Sequence, residues 1–573
     1  MTPPDATSRV LVLGLDGATF DLIEPWLQAG DMPCLSRLYR SGVHGRLRSV
    51  IPPLSPEAWT TFMTGKDPGH HGVMNFLSFR PGAYDLRFTS GADRREPTLW
   101  RMLSDAGRRV GVVGVPMTYP PEQVNGYLVS GFETPGAQSH FTHPPELRDE
   151  LRDAVGGYDL HGDFLGPHDP DAYLETVLRT VDNQAKAICY LLDRYPTDLS
   201  VAVIGATDRV QHYFWKFADP SHPRHDPSAP PALAQAVQRV YQRVDAAVEA
   251  ILQRVPDPKT VVIVSDHGFG PCHKLVHLDQ WLESRGYLVR SAASKGPFAL
   301  AREAWLALRK YLPRWLKDWL KSALPTVRGQ VQSFLLLSRI DWERTRAFAL
   351  STQFGYIHLH RRDRFPHGIV DPGPEADALC EAIARDLQDL RDPDTGEPVV
   401  EAVHRTRDLY PGPACDTLPD LIVLWRPGYL ARTDTRGQAA PPADGFVTRS
   451  DLRAGDTGRL IAVEQSGCHT PEGILLAHGP GLRAGECIRG ARLVDVAPTL
   501  LHLLGEPVPL DFAGNVLEQL FHPDFLAARP IRRCPPLGGP PLGRPHGPAP
   551  EQPYSADEEA ELERRLRDLG YLD

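Results

Sequence analysis

Residues 9–17 read RVLVLGLDG, an unbroken apolar run that closes on Asp16 and a glycine. Two further runs end the same way: SVAVIGATD, residues 200–208, at Asp208, and TVVIVSDH, residues 260–267, at Asp266 with His267 beside it. Short continuous runs rich in Val, Ile and Leu are the mark of strands buried on both faces of a parallel sheet. Such a strand delivers whatever follows its carboxyl end to the rim of the sheet, where open α/β folds keep their sites. Three of them gather three carboxylates at one place, the makings of a two-metal hydrolase.

Imidazoles stand where they can join those acids. His212 follows Asp208 by four residues in ATDRVQHYFW, one helical turn on, so a helix starting there turns both side chains the same way. Asp266 and His267 would diverge on a regular strand, but at a strand end turning into Gly268 both can point at a shared centre. His469, in SGCHTPEGILLAHGPG, precedes another short apolar run and supplies a third imidazole. Three Asp and three His suit zinc or manganese better than an all-oxygen magnesium or calcium cage. Cys468, next to His469, could also ligate, though a bystander thiol is the plainer reading.

Between the first and second acids lies IPPLSPEAWTTFMTGKDPGHHG, residues 51–72. Ser55, Pro56 and Glu57 make a good helix start, with Ser as N-cap, Pro at the first helical position and an acid in the first turn. Structure alone can account for that pattern. The same placement sets a hydroxyl among free N–H donors and the positive end of the helix dipole, which favour an alkoxide or a nearby phosphate. Thr60 and Thr61 are fallback nucleophiles, expected instead to pack inside the helix.

The remainder of the chain sets the frame. At 573 residues it exceeds one typical domain, yet large α/β enzymes often do, so one catalytic domain with insertions is expected. A net charge of −10 gives no general attraction to nucleic acid. Eight cysteines without a CxxC pair fit reduced thiols in a cytoplasmic protein. The start, MTPPDATSRVLVLGLDG, has no leader pattern, and no apolar stretch is long enough to span a bilayer.

Alternating strands and amphipathic helices predict an α/β fold, a three-layer αβα sandwich with a largely parallel central sheet, a helical insertion and a C-terminal tail. The expected divisions are 1–290, the first part of the catalytic core; 291–340, a helical cap; 341–520, the second part of the core; and 521–573, a Pro/Gly-rich linker with a C-terminal helix. Within the cap, residues 299–324 mix Trp305, Trp315 and Trp319 with Arg and Lys. That segment reads as a cap helix packing on the main domain, with peripheral contact to an anionic membrane as the other reading. The acidic amphipathic helix SADEEAELERRLRDLGYLD is expected to dock on the rest. Oligomeric state is left open by the sequence.

These residues carry a resemblance. Asp16, the Ser55 segment with Met63-Thr64-Gly65 and Pro68-Gly69-His70-His71-Gly72, Asp208 with His212, Asp266-His267-Gly268 and His469 resemble the alkaline phosphatase superfamily. The branch they are most similar to is the type I phosphodiesterase/nucleotide pyrophosphatase group and its predicted phosphohydrolase and phosphomutase relatives. DVAPTLLHLLGEPVP with DFAGNVL resembles the superfamily's closing helix and turn, so the likeness runs from Asp16 to about Leu517. It implies two divalent metal ions, zinc or manganese, one held by Asp208, His212 and His469 and the other by Asp16, Ser55, Asp266 and His267. It further implies Ser55 as nucleophile, a phosphoserine intermediate, and Asn75 as a weak candidate for a phosphate contact.

The implied activity is metal-dependent hydrolysis of a phosphorylated small molecule, whether phosphodiester, nucleotide pyrophosphate or phosphomonoester. The aromatic cap leans the expectation toward an apolar or stacking moiety, such as a nucleotide or a lipid-like diester. Sulfatase chemistry is disfavoured because Ser55-Pro56-Glu57-Ala58-Trp59 lacks the Arg of the formylglycine motif. Two alternatives stay open: a phosphotransferase or phosphomutase using the same site, and a non-catalytic protein that binds a phosphorylated ligand.

Overall fold

The computed structural model describes residues 9–80, 82–160, 169–291, 340–350, 353–431, 445–449, 465–536 and 554–568. A ten-stranded sheet runs through its centre. The adjacent strands Lys259–Val264, Arg9–Leu15, Leu199–Ile204, Val110–Val113 and Gly126–Val129 all run parallel. Beyond them, Glu472–His478 pairs antiparallel with both Lys259–Val264 and Val43–Arg48, and Thr142–His143 closes the other edge antiparallel.

Side-chain alternation along the central strand builds the layers. Leu11, Leu13 and Leu15 pack on one face with the helices Phe20–Ala29, Pro170–Arg194, Ala206–Ala218 and Ala236–Leu252. Val10 and Val12 pack on the other, against Trp59 and Phe62 of the Ser55–Thr64 helix and Leu500 of Val496–Leu503. Each of these fully buried aliphatics contributes about 1.5–3 kcal/mol, which fixes the strand's register as well as its place. The result is the expected α/β sandwich with a largely parallel sheet.

Register places the site. Leu15 pairs with Ile204, and Gly14 with both Val203 and Val264, so the chain emerges from the three strands at one edge. Gly14 has a packing reason too: a Cβ there would lie 2.4 Å from the Trp59 ring.

The region 341–520 holds a second sheet as well as strands of the central one. Ala347–Ala349, Gly355–Leu359, Leu421–Trp425 and Val400–Arg405 form a four-stranded antiparallel sheet of their own, with the Pro374–Gln388 helix against it. Between Leu278 and Thr470 the central sheet receives no strand among the described residues; it resumes at Glu472. The cause is the pairing partner: antiparallel neighbours satisfy these strands locally, so they do not extend the large sheet.

Residues 292–339, nearly all of the cap expected at 291–340 and the whole of its stretch 299–324, lie outside the described residues, as does most of the Pro/Gly-rich linker. Its flanks meet, since Arg290 bridges Ile340 and Asp341 N–H donates to the Val289 carbonyl. The C-terminal helix Ala556–Asp568 does dock, burying Tyr554, Leu562 and Leu566 in the core. No described helix is long and apolar enough to cross a membrane. All eight cysteines are free thiols.

Candidate metal centre

Three strand ends and two helices converge on one buried spot. Asp16 follows Arg9–Leu15; Asp208 and His212 sit in the first turns of Ala206–Ala218; Asp266 and His267 occupy the turn between Lys259–Val264 and Gly268–Val276. His469 lies on Gly467–Thr470, an antiparallel neighbour of Gly268–Val276 in which it pairs with Phe269. Ser55 is the first residue of its helix, one position later than the expected N-cap. Leu54 takes the cap, and no side chain closes it. Every one of these seven side chains belongs to a residue no more than 5 % exposed.

The distances describe a continuous cluster. Asp208 Oδ1 lies 3.3 Å from His212 Nε2 and 3.1 Å from His469 Nε2. His267 Nε2 lies 3.3 Å from Asp266 Oδ2, 3.6 Å from Asp16 Oδ1 and 3.4 Å from Ser55 Oγ. Ligand atoms of Asp208, His267 and His469 fall within 4.8 Å of one another, and so do those of Asp16, Asp266 and His267. His267 thus stands between two donor groups, whereas the resemblance put it in one of them.

Neighbours hold the donors in place. His469 Nδ1 faces the Pro53 carbonyl at 3.0 Å, His267 Nδ1 that of Gly268 at 3.0 Å, and His212 Nδ1 that of Gly467 at 3.3 Å with the Gln465 amide at 2.7 Å. At His267 and His469 the carbonyl at Nδ1 places the proton there and leaves Nε2 as the lone-pair donor, the tautomer a metal ligand needs. Trp59 Nε1–H donates to Asp16 Oδ2 at 3.0 Å, and the Gly17 N–H reaches Asp266 Oδ1 at 3.3 Å. Thr207 and Gln211 tie the adjoining helix to the Asp16 and Gly17 carbonyls.

Electrostatics make this cluster uncomfortable without cations. Burial, then the charges of Asp266 and Asp208, drives the Asp16 carboxyl well above its usual range. Burial and Asp208 push Asp266 up to about 8. Burial also raises Asp208, but His212 and His469 outweigh it and hold that carboxyl well below the usual range. His469 is pushed down to about 3 by burial and by His267. Asp16 Oδ1 and Asp266 Oδ2 are buried and accept no hydrogen bond among the described residues. Buried carboxylate oxygens of that kind want a cation, and with three imidazole lone pairs beside them the donor set fits two divalent ions.

The model for type I phosphodiesterase / nucleotide pyrophosphatase matches residues 10–444. The chain belongs to that family. Membership makes it a phosphoric ester hydrolase. Among solved structures it is similar to phosphonoacetate hydrolase from Sinorhizobium meliloti 1021 in complex with phosphonoformate, at 14 % identity over 86 % of this chain and 94 % of that one, with a TM-score of 0.49. Human ectonucleotide pyrophosphatase / phosphodiesterase 5 aligns at 13 % identity over 90 % and 100 % of the two chains, TM-score 0.46, and the murine protein at 14 % over the same shares, TM-score 0.48. No curated protein matches the chain.

The minor candidates of this family member sort clearly. Thr60 Oγ1 donates to the Pro56 carbonyl at 2.6 Å, and Thr61 Oγ1 meets His71 Nε2 at 3.0 Å, so both are helix-packing groups. Cys468 alternates to the face opposite His469 and packs with Cys272 and Leu430. Asn75 adopts φ 68° and spends its amide on the Phe76 N–H and the Leu350 carbonyl. It lines a separate pocket with Arg87 and Tyr356.

A cleft opens from Asp16, Ser55 and Asp208 toward residues the motif reading passed over, among them Phe132, Tyr158, Gln184 and Arg209. Trp59 was missed as well, although its place four residues after Ser55 puts it on the same helix face. Arg209, adjoining Asp208, was equally in view. Tyr158 and Gln184 carry no such signal, because they come from elements that hold no metal donor.

Proposed function

We propose that this hydrolase cleaves phosphate esters in two steps through a phosphoserine on Ser55. The Ser55 oxygen attacks phosphorus and its proton ends on the departing ester oxygen, which leaves as an alcohol; water then attacks the phosphoserine, one proton returning to Ser55, and phosphate leaves, or a phosphomonoester where the substrate is a diester. Asp208, His212, His469, Asp16, Asp266 and His267 would hold two divalent cations, zinc or manganese. Bound there, the cations would lower the pKa of the Ser55 hydroxyl and neutralise charge growing on the phosphoryl oxygens.

The chain's own residues orient the reaction. Helix geometry fixes Ser55 at the opening of the first turn, where unpaired backbone N–H groups favour an anion. Trp59 and Gly17 hold the two carboxylates at their angles, which limits reorganisation as charge develops. The cluster's burial keeps water from competing on the protein side. Free thiols throughout support placing the protein in the reducing cytoplasm.

One observation carries this reading: the Ser55 hydroxyl lies 3.4 Å from His267 Nε2, the imidazole shared by both donor groups. The test is hydrolysis of nitrophenyl phosphate mono- and diesters by metal-stripped protein reloaded with Zn²⁺ or Mn²⁺, alongside Ser55→Ala. Metal-dependent release lost in the variant, with metal content retained, is the expected result. An active Ser55→Ala protein would overturn it.

A further inference from the structure

The cleft that begins at Ser55 ends on polar groups the reaction does not use. Tyr158, Gln184 and Arg209 line it, each at most 7 % exposed. Among the described residues the Tyr158 hydroxyl has no hydrogen-bond partner, and neither has Gln184 Oε1. Unsatisfied buried polar atoms are uncommon in native folds, and two of them facing one cleft call for a ligand.

Their orientation is built rather than accidental. Gln184 Nε2–H donates to the Asp159 carbonyl at 3.3 Å, which turns Oε1 away from that carbonyl. Gly114 makes room for the tyrosine: a Cβ there would stand 2.6 Å from the Tyr158 hydroxyl oxygen. Arg209 Nη2 reaches the Leu160 carbonyl at 3.4 Å, which steadies the guanidinium on the cleft wall.

We propose that Tyr158, Gln184 and Arg209 form a subsite for the organic group of the ester, and that this group is a sugar or other polyol. Donor and acceptor roles decide the class. Gln184 Oε1 only accepts, so its partner must donate; Arg209 only donates; the Tyr158 hydroxyl does either. Hydroxyl groups donate and accept at once and satisfy all three. A carboxylate would suit Arg209 yet repel the Gln184 oxygen, and an alkyl chain would leave both buried groups unpaired. Sites built to hydrogen-bond a hydroxyl discriminate strongly against analogues that lack it. The assignment rests on the reading that the transferred phosphoryl group sits at Ser55, since this fixes which end of the cleft holds the rest of the ester.

The probes are glucose 1-phosphate and cyclohexyl phosphate, the latter with a six-membered ring and no hydroxyls. Both are titrated calorimetrically into zinc-loaded full-length Ser55→Ala protein, so affinity is read without turnover. Glucose 1-phosphate is expected to bind at least tenfold more tightly. Adding Tyr158→Phe or Gln184→Met should each reduce that ratio at least threefold, and Tyr158→Phe should not lower Tm, because the hydroxyl it removes has no partner in the fold. Equal affinities, no binding of glucose 1-phosphate, or a ratio unmoved by both substitutions would overturn the subsite. Turnover by Ser55→Ala would instead count against the nucleophile, a separate outcome.

Discussion

His212 and His469 turn their Nε2 atoms toward each other at 3.2 Å, and both approach the same oxygen of Asp208, at 3.3 and 3.1 Å. The Pro53 carbonyl at His469 Nδ1 keeps that ring's proton on the far side, so its lone pair faces the Asp208 carboxylate oxygen. Metal removal should therefore destabilise the fold, not merely silence it. At a free metal concentration a hundredfold above Kd, binding should add about 3 kcal/mol to stability. Thermal unfolding of chelated and zinc-reloaded protein checks this, and Asp208→Asn should shrink the difference. Identical Tm values in chelator and in zinc would refute it.

Glu57 couples the Ser55 helix to the antiparallel sheet. Its carboxyl accepts from Tyr356 O–H at 2.7 Å and from the Asn75 N–H at 3.1 Å, all of it buried. Tyr356→Phe leaves that carboxyl short of one donor and should cost about 1–3 kcal/mol in urea unfolding. Because the loss falls two residues from Ser55, kcat should drop by more than KM changes. Unaltered unfolding together with unaltered kcat would show that this link carries no load.

What could be read from the sequence followed from local physics. A strand buried on both faces has to be continuously apolar, so Arg9–Leu15, Leu199–Ile204 and Lys259–Val264 announced themselves and carried their terminal acids with them. The four-residue spacing of Asp208 and His212 needed only a helix. The separate sheet at Ala347–Trp425 stayed hidden because a short apolar strand does not state its partner; Gly355–Leu359 is wholly buried and looks like any core strand. Ser55 was placed one residue early, since Ser-Pro-Glu reads equally as cap and first turn. Tyr158 and Gln184 reach the cleft from the segment before 161 and the Pro170–Arg194 helix, a convergence visible only in three dimensions.

His71 should make the fold acid-labile. The ring is buried and pushed well below its usual pKa by burial, then by the charges of Arg94 and His70. Nδ1 accepts from the Val73 N–H at 3.1 Å, so the other nitrogen donates to Thr61 Oγ1 at 3.0 Å, and the neutral ring is fully used. The unfolded chain takes up a proton near pH 6.5 while the native one refuses it, so stability is present above that pH and is lost as pH falls below it. From pH 6.5 to 5 this residue alone should account for about 2 kcal/mol. Urea unfolding at both pH values checks it, with His71→Gln expected to flatten the slope; an equally steep slope in the variant would assign the loss elsewhere.

Arg565 ties the C-terminal helix to the wall of the cleft. Its guanidinium, 7 % exposed, donates to the carbonyls of Phe132 at 3.2 Å and Pro135 at 2.9 Å, and also to that of Thr134. Phe132 lines the cleft itself, and Tyr554, next to the helix, stacks on Tyr119 and donates to the Glu133 carbonyl at 3.4 Å. Arg565→Ala strands three carbonyls that were paired with a charged donor, and the docked helix should lose about 3 kcal/mol of its hold. The remaining apolar contacts can release as a unit, so the effect should be local: amides at 131–134 and 556–566 exchange faster while the central sheet keeps its protection. Arg565→Lys should not restore protection, because one ammonium cannot span three carbonyls as a fork does. Freed from behind, the Phe132 loop would widen the cleft and raise KM for a bulky ester more than for a small one. Exchange at 131–134 that matches the wild type in Arg565→Ala would mean the helix is seated on the cleft wall without holding it.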